Sequence, residues 1–437
     1  MIIVIIKFIN NSFMVITMFQ NKNFLLKSIG FALFAVFVVV AGCSDSKSNR
    51  LKANTPEAVK DTHAAMAAAV YSDSLEAAKT LQSAVTALLT QPTTENLEAA
   101  REAYKAIRAP YQQSEVLRWD TDITINSNTG AQGIASVDEW EGQVNAWPLA
   151  EGLIDYTAED AENNIIAGDA AITVEYLISQ NGLNDDEANV ATGIHAIEFL
   201  LWGQDLNGTG AGAGNRTASD FDTQNCTGGN CDRRATYLQV VTDLLVSDLN
   251  EMFLEWGGNA KETPGTLAYN FINSDDALAY IIGSMKVMAD DELASARMGT
   301  ALMEQDPEEE HDCFSDLSHI AIYHNFQGIK NAFYGTYGDI EGSGIGDLIN
   351  DADTSLYSKI DSMLMSIEGK MARILEIGEQ NDPIRFDQII GLGEGNVEFD
   401  NANAASLELV QLGIEFALAR DALSLKELNI EGGGDGD

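Results

Sequence analysis

The stretch Gly193-Ile-His195-Ala-Ile-Glu198-Phe-Leu-Leu-Trp202-Gly-Gln-Asp205 sets an imidazole and a carboxylate three residues apart in an otherwise apolar run. On a helix, residues at that spacing share a face, so His195 and Glu198 can address one point. Helical bundles build metal sites from carboxylates and imidazoles spaced this way. A zinc-peptidase helix of the His-Glu-x-x-His type is excluded: it needs a glutamate directly after the first histidine and a second histidine four residues on, where this chain has Ala196 and Phe199. Asp205 would lie roughly 15 Å along the axis from His195 if the helix continued, and it remains a poor partner even if Gly203 ends the helix. A better third ligand is Glu115, in Pro110-Tyr-Gln-Gln-Ser-Glu115-Val-Leu-Arg118-Trp119. One imidazole with two or more carboxylates suits iron, manganese or zinc rather than copper(I). A histidine beside Ile and Phe is also ordinary core. Glu198, however, costs several kcal/mol to bury unless a cation or donors satisfy it, and Arg118 is a candidate cation that needs no metal.

A second polar stretch, Glu308-Glu-Glu-His311-Asp-Cys313-Phe-Ser-Asp316-Leu-Ser-His319-Ile-Ala-Ile-Tyr323-His324-Asn325, holds three of the five histidines. Ser315 or Asp316 can serve there as a plain helix cap. His319 and His324, five apart, point to different faces of a helix and do not share a metal.

The elements that must position these groups are helices. Thr55-Pro56-Glu57 offers an N-cap with proline at the first helical position, and Ala, Leu and Val follow at helical spacing to Leu89. A second helix opens at Thr94 and runs to about Trp119, interrupted by Pro110. Further helical segments span about 168–180, 185–204, 233–256, 274–303, 315–337, 354–378 and 400–427. No series of alternating strand patterns competes with them. The fold expected is all-α, two helical-bundle domains of antiparallel helices, at 54–206 and 233–430, with the Gly-rich stretch 207–232 as the loop between them and 431–437 as a disordered acidic tail. Ile-Glu-Phe recurs at residues 414–416, which raises an internal duplication in which only the first copy carries a histidine.

Residues 1–42 contain three lysines and no acid, and include the apolar run 31–41, which is short for a membrane span and reads as a secretory signal. Met18, with Lys22 and Lys27 behind it, is the better start for such a segment, which makes Met1–Thr17 an upstream extension. The chain carries a formal net charge of −42, and removing residues 1–42 makes it more acidic still. Such a chain repels nucleic acid and anionic headgroups. Exported cysteines meet oxidising conditions. Cys226 and Cys231 flank Thr-Gly-Gly-Asn and could close a small loop, but three cysteines including Cys313 cannot all pair internally, and the sequence leaves the pairing open.

Val40-Ala41-Gly42-Cys43 resembles the bacterial lipobox, in which the cysteine is acylated, and implies lipidation at Cys43 with 43–53 as tether. The signature Gly193-x-His195-x-x-Glu198, with Trp202-Gly-Gln-Asp205 after it, resembles the imelysin family, and more closely its branch similar to iron-regulated protein A. The resemblance extends to Glu139-Trp140-Glu-Gly-Gln-Val-Asn-Ala-Trp147-Pro-Leu149, Gly212-Ala-Gly-Asn-Arg216, His311-Asp-Cys-Phe-Ser-Asp316 and Gly328-Ile-Lys-Asn331. Ser315-Asp-Leu317-Ser-His319 departs from the family's Ser-Asp-Asn-Thr-His at its third position. The resemblance implies two bundles with a site between or beside them, His195, Glu198 and Glu115 as metal ligands, and Arg118, Trp140, Trp147, Trp202, Asp205 and Asp316 lining it.

Three functions follow as expectations. The first is a lipid-anchored, periplasm-facing envelope protein, on the outer membrane, that binds a divalent or trivalent metal, iron favoured over zinc. Its partners would be the metal ion or a metal-carrying ligand and an envelope iron transporter, with membrane contact through the lipid only. The second is a metallopeptidase using a metal-activated water, for which no motif supplies the general base. The third is a ligand-binding or scaffold module without metal.

Overall fold

The computed structural model describes residues 2–7, 13–18, 53–121, 134 and 136–430. The apolar run 31–41, Cys43, the tether and the tail 431–437 lie outside the described residues. In the N-terminal unit, Ile2–Lys7 and Phe13–Met18 pair as antiparallel strands. The second unit comprises Leu51–Asp437.

Helix α1, Pro56–Thr90, begins where the sequence places it: the Thr55 hydroxyl accepts from the Ala58 amide at 3.2 Å, and Pro56 occupies the first turn. Its apolar stripe, Val59, Ala67, Val70, Leu75, Ala78, Leu81, Val85 and Leu88, is buried against α2, Thr94–Ser114, and α5, Cys231–Trp256. Helix α2 runs through Pro110 rather than breaking there. The proline removes one backbone donor, but the turns around it are held by packing on α1 and on α7, Ser318–Tyr334. Gly328 permits that close approach, because a Cβ there would stand 2.8 Å from the Gln113 carbonyl oxygen.

Between these lie α3, Val137–Val144, and α4, Gly193–Trp202. All ten residues of α4 are buried, the expected lot of a helix apolar on every side. It starts at 193, not 185, since Gly182, Asn184 and Asp185 adopt positive φ and form a turn. The helix expected over 168–180 shrinks to Val174–Ile178. Gly193 itself has φ +82°, and a Cβ would overlap the Val144 carbonyl oxygen, so glycine alone lets α4 start against the end of α3.

The C-terminal helices are α6, Ala277–Val287, α8, Thr354–Gly378, α9, Phe386–Leu392, and α10, Val397–Ala422. Between α6 and the short helix Thr300–Glu304 the chain follows a π-helix over Met288–Gly299, which packs on α10 and α7. Helices on the two sides of the Gly-rich loop interlock: α5, after it, packs on α1, and α7 packs on α2. The recurring Ile-Glu-Phe falls in α10, where Glu415 pairs with Lys359 at 2.7 Å. Among the described residues the other strands are Thr336–Tyr337 and Ile340–Glu341, and no helix is long and apolar enough to cross a membrane.

Candidate metal centre

His195 and Glu198 project from one face of α4, and Glu198 collects four partners. His195 Nδ1 lies 2.9 Å from Oε2, and the Tyr104 hydroxyl on α2 donates to the same oxygen at 3.1 Å. Oε1 accepts from the Ser315 amide at 2.9 Å and the Ser315 hydroxyl at 2.6 Å. A third donor comes from the loop before α7: His195, Glu198 and Asp312 each place one ligand atom within 4.8 Å of the others. All three residues are fully buried.

Arg108, reaching in from α2, pairs with Asp312 through one edge of its guanidinium: Nη2 donates to Oδ2 at 2.8 Å and Nε lies 2.8 Å from Oδ1. A hydrogen bond between two charged groups is the strong form of this contact. The counter-charge beside Glu198 is therefore Arg108, not the expected Arg118. Burial pushes the Glu198 carboxyl up to about 7, against the opposing pull of Ser315, Arg108 and Tyr104. Burial likewise raises Asp312 despite Arg108. Two carboxylates thus share one guanidinium, and the remaining charge calls for a proton or a cation. The set of one imidazole and two carboxylates fits a moderately hard metal ion. Aromatic rings close the surroundings: Trp147 lies 5.1 Å from the His195 ring, His311 4.6 Å from it, and Phe314 5.7 Å from Trp147.

The other expected residues disperse. Glu115 stays outside the group: it pairs with Arg297 and accepts from Asn325 Nδ2 at 2.7 Å and Asn145 Nδ2 at 3.1 Å. An arginine on the π-helix satisfies its charge in place of a metal. Arg118 pairs with Glu141 at 2.6 Å and Glu292 at 2.7 Å. Trp140 donates its indole N–H to the Asp248 carbonyl at 3.0 Å and packs edge-on to Tyr71, away from His195. Trp147 does line the centre. Trp202 packs on Tyr104 with Arg101 above its ring, and with Ser315 and Arg385 it lines a surface pocket of about 490 Å³. Asp205 is half-buried and accepts from the Asn207 amide at 2.9 Å. Asp316 belongs to a separate group with Glu310 and Asp387. A disulfide joins Cys226 to Cys231, and Cys313 is a buried free thiol.

Asp312, Arg108 and Tyr104 are the residues that sequence reasoning did not assign, and Ser315, read with Asp316 as a helix cap, instead holds Glu198, while Leu317 stands at the start of α7 with no side-chain cap. The one local signal for Asp312 is its place between His311 and the apolar pair Cys313-Phe314, where a carboxylate is drawn into the interior with no neighbouring base in sequence.

The family model described as imelysin, peptidase M75, matches residues 67–412. No curated protein matches the chain. Among solved structures, a candidate iron-regulated protein A precursor from Parabacteroides distasonis superposes with a TM-score of 0.60 at 18% identity, covering 83% of this chain and 94% of that one. At that identity the likeness bears on the helical fold.

Proposed function

Because this chain belongs to the imelysin family, we propose that it is an envelope metal-binding protein that takes iron at His195, Glu198 and Asp312, in the service of iron acquisition. The observation that carries this reading is the buried group itself: a helical His-x-x-Glu pair meets a distant aspartate within 4.8 Å, with one guanidinium for two carboxylates. Bound iron would supply the missing positive charge and a redox-active, oxygen-preferring centre. Asp312 takes the place first given to Glu115. Tyr104 and Ser315 hold the Glu198 carboxylate in one orientation, as outer partners of metal ligands do, and Arg108 does the same for Asp312.

Enclosure supports binding over peptide hydrolysis. A metallopeptidase needs an open coordination position and a base that a peptide can reach, whereas each member of this group is fully buried behind Trp147 and Phe314. Export, acylation at Cys43, an outer-membrane position facing the periplasm, and delivery to an envelope iron transporter complete the proposal.

The test is metal analysis of the purified protein beside His195→Ala and Asp312→Asn. Stoichiometric iron in the parent and loss in both variants is the expected result. Equal, negligible metal in all three would sink the reading, and zinc in place of iron would change the cargo while leaving the site.

A further inference from the structure

On the same segment that supplies Asp312 and Ser315, a second acidic group forms. Glu310, after the turn Pro307–Glu309, Asp316, in the loop before α7, and Asp387, in the first turn of α9, place one oxygen each within 4.8 Å of the others. Each residue is about 1% exposed. Glu310 has the Ser318 hydroxyl as a partner. Both oxygens of Asp316 and Oε2 of Glu310 have no hydrogen-bond partner, and the Asp387 carboxylate has only the backbone amides of its own helical turn, Asp387 and Gln388, beside it. Arg385 does not fill the gap: its Nη1 stands 3.9 Å from Asp316 Oδ2 and donates to the Ser315 carbonyl at 3.2 Å. Half-buried Asp205 adds negative charge that acts on both Asp316 and Asp387.

Several buried carboxylates in this core meet guanidiniums at contact distance: Asp155 with Arg234 at 2.6 Å, Glu141 with Arg118 at 2.6 Å, Asp312 with Arg108 at 2.8 Å. Three carboxylates buried together with a single guanidinium, Arg385, 3.9 Å from one of them, carry an unmet demand for positive charge. We propose that Glu310, Asp316 and Asp387 form a second cation site, separate from His195, that takes a hard divalent ion of the calcium class. The donors are oxygen only, with no imidazole or thiolate in the group, which selects hard cations. Three carboxylates can offer up to six oxygens to calcium, which accepts bidentate ligands, while magnesium holds several waters that an enclosed site has little room to keep. The ion would tie α9 to the loop that carries Asp312 and Ser315. The proposal does not rest on the iron reading.

Calorimetric titration of the chelator-stripped protein with calcium chloride, and separately magnesium chloride, tests it in the wild type, Asp387→Asn and His195→Ala. The expected result is one calcium per chain in the wild type and in His195→Ala, with weaker magnesium uptake. In Asp387→Asn, calcium affinity should drop at least about tenfold, the scale on which even outer partners of metal sites act. Thermal unfolding adds a readout of folding: calcium should raise the midpoints of the wild type and of His195→Ala, and that of Asp387→Asn much less, while metal-free Asp387→Asn should melt above the metal-free wild type, because repulsion is relieved. No calcium uptake by the wild type, undiminished uptake by Asp387→Asn, or uptake lost in His195→Ala would each overturn the proposal. A wild-type midpoint that rises with acidification from pH 8 to 6 and ignores calcium would do so as well, by showing protons as the occupants. If Asp387→Asn fails to fold, Asp316→Asn serves in its place.

Discussion

Replacing Arg108 by methionine strands the Asp312 carboxylate in the core. Both side chains are 0% exposed, and two contacts of 2.8 Å join them, so solvent cannot take over the lost partner. An exposed pair would cost about 0–1 kcal/mol; leaving one member of a buried pair uncompensated costs about 3–5 kcal/mol. Glu198 sits beside the same guanidinium and pushes the value to the upper end. The double variant Arg108→Met with Asp312→Leu removes both charges and should recover most of the loss, since apolar replacement of a whole buried pair is often neutral. Urea unfolding of the chelator-treated protein at pH 7.5, with the single and double variants read at a common slope, gives the coupling energy. Ferrous iron should then reduce the cost of Arg108→Met, because a bound cation compensates the same carboxylates. A single-variant cost below about 1 kcal/mol, or additive losses in the double variant, would refute the claim that Arg108 is the counter-charge of the centre.

Three further outcomes are expected. Gly193→Ala forces an L side chain to φ +82° with its Cβ 2.7 Å from the Val144 carbonyl carbon; the left-handed backbone alone costs about 1–2 kcal/mol, and the shift of α4 should also lower the metal content, so an unchanged melting midpoint would refute the role given to this glycine. Asp248→Asn removes a carboxyl that burial pushes up to about 7: the folded state keeps that proton between pH 4 and 7 where the unfolded state releases it, so the wild type loses this contribution as pH rises through 7, and the variant should gain stability relative to it at pH 8 but not at pH 4. Exchanging Cys226 and Cys231 together for serine opens the short loop closed by their disulfide, at an expected loss of roughly 2 kcal/mol from loop entropy, measured by urea unfolding under non-reducing conditions.

The local parts of this architecture were legible and the long-range ones were not. The His195–Glu198 pair, the cap at Thr55, and the all-α class follow from spacing and turn chemistry within a few residues. Asp312 escaped because its guanidinium partner is 204 residues away, and no periodicity links them. Glu115 was read as a third ligand, yet a carboxylate in the sequence names a need and not the residue that meets it, which here is Arg297. The π-helix was read as an ordinary helix over 274–303, because apolar spacing alone does not separate 3.6 residues per turn from a wider coil. Its trace was Glu292 and Arg297, five apart: the wider coil brings their side chains to 3.6 Å of each other.

The contacts of Arg108 and Glu115 explain why the signature on α4 is only half of a site. From Asp312 the polar chain passes through Arg108 to Asn145 at 3.4 Å, from Asn145 to Glu115 at 3.1 Å, and on through Arg297 and Glu292 to Arg118. Three of these contacts join an early helix to a late element: α2 and its extension supply Arg108, Glu115 and Arg118, which meet Asp312 in the loop before α7 and Arg297 and Glu292 on the π-helix. Apolar residues in these places would hold the halves together at least as well, but hydrophobic packing tolerates sliding and exchange that directional hydrogen bonds do not. What the buried charges secure is register. A donor delivered from residue 312 must meet two donors on a helix at 193–202 within a few ångströms, and a ladder of ion pairs and hydrogen bonds across the same interface is a physical means of fixing that distance. The arginines of this core therefore belong to the construction of the candidate metal centre, and none of them is among its proposed ligands.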